Sequence, residues 1–400
     1  MRVGWVIFDY FEYGGLQRDL AAMAQACKEL AAQKGVPWHS TLICMRQRAA
    51  VPPAWCDEVR ELPPPWYLLT NHGRAAHFAG QVAALRGEYD CLAGFNRMGK
   101  LDFYFAGDDC LKEKYSRRNF FTRNSRRAKV FQQMEADVFA PVEAGGAKRI
   151  FTITAGQRAS FLRSYPECDP QRLLLVPPEL PAEFFAPPVT EEERAACRRA
   201  LDIEPGSCCF IQVAAAFHTK GVDRSCRILG AAKKLGILPD FCFVVVGGDR
   251  AQQRKVAKLA AQAGIAEKQL RITGVRSDIR QLLSAADIML HPARAESAGN
   301  VLIEAIACGL PVVCSDICGY RDYVLASGGG RVAPSPYDEN TYVEILRQLF
   351  ASGGEELLRS RRESIAYASR AVEPVSFRRS LLEAADFFTL ISPDGNIFAK

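Results

Sequence analysis

Residues 287–313 read DIMLHPARAESAGNVLIEAIACGLPVV, and the parsing of this stretch decides the fold. Asp287 to His291 is a short apolar run of strand character, and Cys308 to Val313 ends in another. Between them Val301, Leu302, Ala305 and Ile306 recur at helical spacing, and Gly299-Asn300 stands where such a helix would start. Strand, helix and strand in immediate succession form a βαβ unit of a buried parallel sheet. Within it lie two carboxylates, Glu296 and Glu304, in a segment otherwise suited to burial.

The same grammar runs outward in both directions. Val3 to Phe8 reads as a strand followed by a helix from about Leu16, and Cys91 to Phe95, Arg149 to Thr152 and Leu173 to Val176 read as further strands. A linker with five prolines, Pro177 to Pro188, interrupts the pattern. It restarts with Cys208 to Val213, a helix from about Val222, Phe241 to Val246, a helix from about Gln252, Leu270 to Thr273, Ile288 to His291 and Pro311 to Val313. Strands alternating with helices predict two doubly wound, Rossmann-like α/β domains, 1–178 and 179–370, facing across a cleft. Ligands are expected outside the carboxyl ends of the strands. The tail, 371–400, continues a helical pattern without a strand companion and is expected to cross back to the first domain.

Composition narrows the class. With 48% hydrophobic and 24% charged residues in 400, the chain has the make-up of an ordinary globular enzyme. No apolar run approaches the roughly 18 residues of a membrane span, and MRVGWVIFDY lacks the form of a cleavable signal, so a cytoplasmic location is expected. The 14 cysteines contain no C-x-x-C pair and the five histidines are far apart, which favours reduced, buried thiols over a structural zinc site. The net charge of +6 is concentrated: Leu111 to Val130 holds Lys112, Lys114, Arg117, Arg118, Arg123, Arg126, Arg127 and Lys129 against Glu113 alone.

Three places could carry chemistry. Tyr13-Gly14-Gly15-Leu16-Gln17-Arg18-Asp19 follows the first strand, where paired glycines let a ligand approach helix N–H groups; a tight turn explains them equally well. G-x-G-x-x-G is absent, so no dinucleotide fingerprint is met. After the first strand of the second domain, Lys220-Gly221 suits a diphosphate, although a lone surface lysine reads the same way. The carboxylate pair is more specific. A wholly helical path would separate Glu296 and Glu304 by about 12 Å, too far for a retaining glycosidase pair and better suited to gripping two parts of one long ligand.

These residues resemble the GT-B glycosyltransferases of family 4, whose signature E-x7-E is met by Glu296 and Glu304. The resemblance narrows to the lipopolysaccharide core glucosyltransferase I group through YGGLQRD (13–19), TNHGRAA (70–76), GFNRMGKLDFYFAGD (94–108), KGVDRS (220–225) and CGYRDY (318–323). It implies a UDP-hexose donor, with UDP-glucose foremost, held mainly by the second domain, and a lipid A-core acceptor held by the first. Glu304 would then bind the ribose hydroxyls, while Glu296 with the backbone of Ala298, Gly299, Asn300 and Val301 faces the donor sugar. Lys220 and the Gly14-Gly15 pair would contact the diphosphate, Arg276 would lie near the uracil, and Asp19, Asn96 and Asp102 would line the sugar and acceptor side. Retention of configuration without a metal or other cofactor is implied, in keeping with the absence of a D-x-D motif. Thr219, in place of a usual arginine, Ala214 to Ala216 and Glu179 depart from the family pattern, and the segment around Pro52 to Pro65 has no counterpart in it.

In the resembled group the counterpart of the basic segment, 111–135 here, contacts the membrane. Tyr115, Phe120, Phe121 and Phe131 interleave with its cations, which suits an anionic inner-membrane surface better than nucleic acid, and no nucleic acid partner is expected. A GT-B sugar-nucleotide epimerase would share the architecture without needing such a segment. A degenerate nucleotide-sugar binder is the non-enzymatic alternative.

Overall fold

The computed structural model describes residues 1–11, 15–49, 52–176, 180–186 and 189–371. Gly14, Glu179 and the expected return of the tail beyond residue 371 lie outside them. The chain divides between Pro177 and Pro178 into two compact units.

Among the described residues the first unit holds seven strands: β1 (Arg2–Tyr10), β2 (His39–Gln47), β3 (Glu58–Glu61), β4 (Cys91–Gly94), β5 (Phe103–Ala106), β6 (Arg149–Thr152) and β7 (Leu173–Leu175). All pair in parallel in the order β3-β2-β1-β4-β5-β6-β7. The second holds β8 (Cys208–Ala214), β9 (Phe241–Gly247), β10 (Leu270–Gly274), β11 (Ile288–His291), β12 (Val312–Ser315) and β13 (Arg331–Ala333), parallel in the order β10-β9-β8-β11-β12-β13. These are the two parallel α/β sheets of the expected GT-B fold. In each, the chain winds outward from the first strand and then crosses back to pair on its other side. The switch points are therefore the gaps between β1 and β4 and between β8 and β11, where doubly wound sheets hold their ligands.

The strands read as apolar runs because both sheet faces are covered. In β9, Val244 and Val246 join a core with Leu302, Ile303, Ala305 and Ile306 of the helix Asn300–Ala307. Their neighbours Phe243 and Val245 face the opposite side, against Leu229 of the helix Val222–Lys234 and Leu346 of the helix Glu339–Phe350. In the first unit, Val6, Ile43, Leu92 and Ile150 share one core with Phe78 of the helix Asn71–Ala84 and Val138 of the helix Arg126–Phe139.

The strands that pattern reading missed have physical reasons. β3 (EVRE) and β13 (RVA) are short segments at or toward a sheet edge, where charged side chains are tolerated and the apolar signal fades. The unassigned segment around Pro52 to Pro65 contains β3 and places Trp55 edge-on to Trp5 and Tyr10, so it closes part of the first core. All 14 cysteines are free, and all but Cys56, Cys197 and Cys308 are buried. Among the described residues no helix is long and apolar enough to cross a membrane, and no cluster of three or more metal-ligating side chains occurs.

Candidate functional site

The second unit gathers its chemistry at the β8–β11 switch point. β8 leads into the short helix Phe217–Lys220, which ends at Gly221 with φ +74°. Gly221 is obligatory there, because a Cβ would lie 2.1 Å from the Pro292 carbonyl oxygen. Buried Gln212 of β8 donates from Nε2 to the Lys220 carbonyl (2.7 Å) and accepts from Ser225 Oγ (2.7 Å), which fixes the turn. The loop after β11 is lashed to this turn. Arg294 N–H donates to the Thr219 carbonyl (2.8 Å), and its guanidinium donates to the His218 carbonyl (2.9 Å) and to both oxygens of Asp223 (2.6 and 2.7 Å). Burial alone would raise the Asp223 pKa, but the Arg294 hydrogen bond and charge, with Arg227, hold it below the usual carboxylate range.

The lashing brings Lys220 and Glu296 together. Lys220 Nζ lies 2.8 Å from Glu296 Oε2, and His291 Nε2, at the end of β11, lies 3.1 Å from the same oxygen. The Glu296 side chain is only 10% exposed. Burial works to raise its pKa; the hydrogen bond and charge of His291, then those of Lys220, overcome this and keep it low, so the group is a fixed carboxylate. Gly319 N–H donates to the Glu296 carbonyl (3.2 Å) and Tyr320 N–H to that of Ala298 (2.8 Å), so the CGYRDY loop supports the same segment.

Gly299 then takes φ +100° as N-cap, and the helix Asn300–Ala307 begins as the sequence suggests. No side chain caps it, which leaves the first-turn amides of Asn300 and Val301 available to an anion. Glu304 lies buried in the second turn. Arg276 follows β10 on the same carboxyl edge, with its guanidinium held by Asp278 at 2.7 and 2.5 Å.

In the first unit the corresponding switch point carries Gly15, Asp19 and Asn96. The helix Gly15–Gln33 begins at Gly15, where an added Cβ would meet nothing within 4 Å, and Asp19 sits one turn on. Gln17 ties this helix to β1 by donating to the Asp9 carbonyl (2.9 Å). Asn96, just beyond β4, accepts from Phe8 N–H (2.6 Å).

Asp102 is placed elsewhere. It precedes β5 and so lies at the amino edge of the sheet, where its buried carboxylate accepts from Leu92 N–H (2.9 Å) and Arg86 (2.7 Å) and pairs with Lys148 (3.1 Å). This is a structural ion cluster that ties β4, β5 and β6 together, at the opposite edge of the sheet from the sugar and acceptor side expected for Asp102. His291, Arg294 and Asp223 were missed in turn. Their signal was present: charged or titratable residues directly after β11 and in KGVDRS, within otherwise apolar stretches.

A family model described as glycosyl transferases group 1 matches residues 193–371. The lipopolysaccharide glucosyltransferase WaaG of Escherichia coli (strain K12) is 32% identical over 351 residues, covering 87% of this chain and 89% of that protein. The chain belongs to the group 1 glycosyltransferases. A crystal structure of WaaG superposes on this glycosyltransferase with a TM-score of 0.80 at 28% identity, covering 96% of this chain and 98% of that one. A D-inositol 3-phosphate glycosyltransferase of Mycolicibacterium gilvum is 30% identical over 208 residues, half of this chain and 44% of that protein. Anabaena Alr3699/HepE, crystallised with UDP-glucose, shares the fold with a TM-score of 0.71 at 14% identity, over 96% of this chain and 99% of that one. The Lys220–Glu296 pair and the Gly299 helix start both lie in or beside the segment that the family model spans.

Proposed function

We propose that this glycosyltransferase moves a hexose, with glucose foremost, from a UDP-sugar to an inner-core heptose of lipopolysaccharide, with retention of configuration and without a metal. The observation that carries the reading is the constellation at β8–β11: a fixed carboxylate, a lysine and an uncapped helix start within one turn of each other. The names of the similar proteins, a lipopolysaccharide glucosyltransferase and a structure holding UDP-glucose, support the donor and acceptor classes.

The chemistry follows from charge. As the glycosidic bond of the donor lengthens, negative charge grows on the departing diphosphate. The amides of Asn300 and Val301 and the Lys220 ammonium are preorganised positive groups that stabilise it, a role that cations of the protein fill without a metal. Glu296, ionised and held by His291, faces the sugar, accepts from its hydroxyls and favours positive charge on the ring. Glu304 accepts from the ribose hydroxyls, and Arg276 lies toward the uracil. A donor phosphate oxygen takes the acceptor proton on the same face, so no side chain serves as general base. Gly14, Gly15, Asp19 and Asn96 belong in this reading to phosphate and acceptor recognition. The exposed cations of 111–135, with Phe120 and Phe121 between them, bring the enzyme to an anionic membrane surface on the cytoplasmic side.

The test is a panel of UDP-hexoses with a heptose-terminated lipid A acceptor, read by mass spectrometry. Transfer of one hexose is expected. UDP binding without transfer from any donor would leave a degenerate binder, and donor interconversion without acceptor would make the protein an epimerase.

A further inference from the structure

A second aromatic cluster is exposed on the first unit, outside the basic segment. Trp66 is 89% and Leu69 80% exposed, Tyr67 is also exposed, and the Trp66 and Tyr67 rings meet edge to face at 6.1 Å. Single exposed apolar residues are ordinary, but three within four positions, two of them large aromatics, are not. The cluster is also held in place. Pro63-Pro64-Pro65 stiffens its approach, and Leu68 N–H closes a turn onto the Pro65 carbonyl (3.0 Å). Arg74 Nε donates to the Leu68 carbonyl (2.6 Å), and Thr70 caps the helix Asn71–Ala84 immediately after.

Topology sets the direction in which this cluster points. The helix Asn71–Ala84 leads into β4, and the helix Arg126–Phe139 leads into β6. Each returns from the carboxyl edge of the sheet, so both start there and run side by side; Phe78 of one and Val138 of the other share a core. Trp66, Tyr67 and Leu69 stand just before the first start. Phe120 and Phe121, the latter 86% exposed, stand just before the second. Two aromatic tips thus project from one edge, and around the second all eight cations of 111–130 are exposed.

We propose that Trp66, Tyr67 and Leu69 form a second insertion point for an anionic phospholipid bilayer, alongside the Phe120-Phe121 tip. This inference rests on the membrane reading above and goes beyond it, because it assigns a foothold to a loop with no charge of its own. Tryptophan and tyrosine suit the headgroup boundary, where an apolar ring and a polar N–H or O–H are both accommodated. The neighbouring cations supply the attraction to anionic headgroups. Two separated footholds also fix the orientation of the unit on the surface, which one cannot.

The experiment uses the full chain with vesicles of phosphatidylethanolamine and phosphatidylglycerol. Removing only about 60 Å² of apolar surface from water corresponds to tenfold in affinity, so the triple variant Trp66→Ser, Tyr67→Ser, Leu69→Ser should bind at least about tenfold more weakly. With acyl-brominated lipids, wild type should lose fluorescence that Trp66→Phe does not lose. The comparison variant reverses charge at Arg117, Arg118, Arg126 and Arg127 to Glu. Wild-type binding by the triple variant, with loss in the charge-reversed one, would overturn the second foothold and leave the membrane reading standing. Absence of binding by wild type itself would overturn both. Unchanged vesicle binding with loss of a wild-type self-association in the triple variant would assign the cluster to a protein interface and overturn the proposal.

Discussion

Replacing Glu296 by glutamine separates two effects that the resemblance alone would merge. The substitution keeps the shape of the side chain and removes the charge that engages Lys220 at 2.8 Å. A charge-assisted hydrogen bond contributes about 1.5 to 3 kcal/mol, and the lysine is 24% exposed, so solvent compensates part of it. Freeing Lys220 for a diphosphate should therefore gain about 1 kcal/mol, some fivefold in the Kd for UDP. Removing a carboxylate beside an incoming anion acts in the same direction. Turnover should move the opposite way, because a preorganised charge aimed at the reacting sugar contributes about 10² to 10³ in kcat. Titration calorimetry with UDP and steady-state transfer assays read the two quantities separately. Weaker UDP binding in Glu296→Gln, by more than about threefold, would refute the division in which Lys220 serves the diphosphate and Glu296 the sugar.

Other perturbations test the remaining assignments. Glu304→Ala should weaken UDP binding about tenfold while leaving competition by pyrophosphate unchanged, since only the ribose contact is lost; equal loss of both would contradict the ribose role. Gly15→Ala should leave the melting temperature within a degree or so, because a Cβ there meets nothing, yet lower kcat/KM if its backbone lies against the ligand; unchanged turnover would remove Gly15 from the site. Asp102→Asn should cost about 2 to 3 kcal/mol of stability in a denaturant titration and leave kcat/KM of the folded enzyme intact, as befits a carboxylate at the amino edge. Because the Glu296 pKa is depressed, its ionisation contributes stability above the unfolded carboxylate value of about 4.3 and that contribution is lost as pH falls through its native value. Lys220→Met should accordingly lower the melting temperature at neutral pH, with the gap to wild type narrowing in acid; a constant gap would show that the pair does not hold the carboxylate.

Much of this was legible in the sequence because it is local. Apolar runs alternating with helical spacing fixed the positions of nine of the thirteen strands among the described residues, and hence parallel sheets covered on both faces. Gly299-Asn300 marked a helix start that the backbone realises at φ +100°, and an uncapped start offers amides to an anion whatever surrounds it. The basic run with its aromatics was likewise visible as composition. What escaped were the short edge strands β3 and β13, the short aromatic β5, and β2, a buried nine-residue strand whose apolar run is broken by His39, Ser40, Thr41 and Arg46.

Position relative to a strand was also written in the sequence for Asp287, Glu296 and Lys220, but not for Asp102, because β5 itself escaped the reading. Asp102 precedes β5 and Asp287 precedes β11, and both lie at amino edges among arginines or lysines; Glu296 follows β11 and Lys220 follows β8, at the carboxyl edge. In a parallel sheet that distinction alone separates structural carboxylates from those that can meet a ligand. By itself, then, the sequence determined the two sheets, the helix start and the candidate carboxylates, since each depends on neighbours within a turn or a strand. Only the tertiary structure decided that Lys220 and His291 share one carboxylate oxygen of Glu296, and that Arg294 and Asp223 lash the two loops together. Those contacts join residues brought together by the crossing back from β10 to β11, and no local periodicity encodes which side chains meet when distant loops are placed beside each other at a switch point.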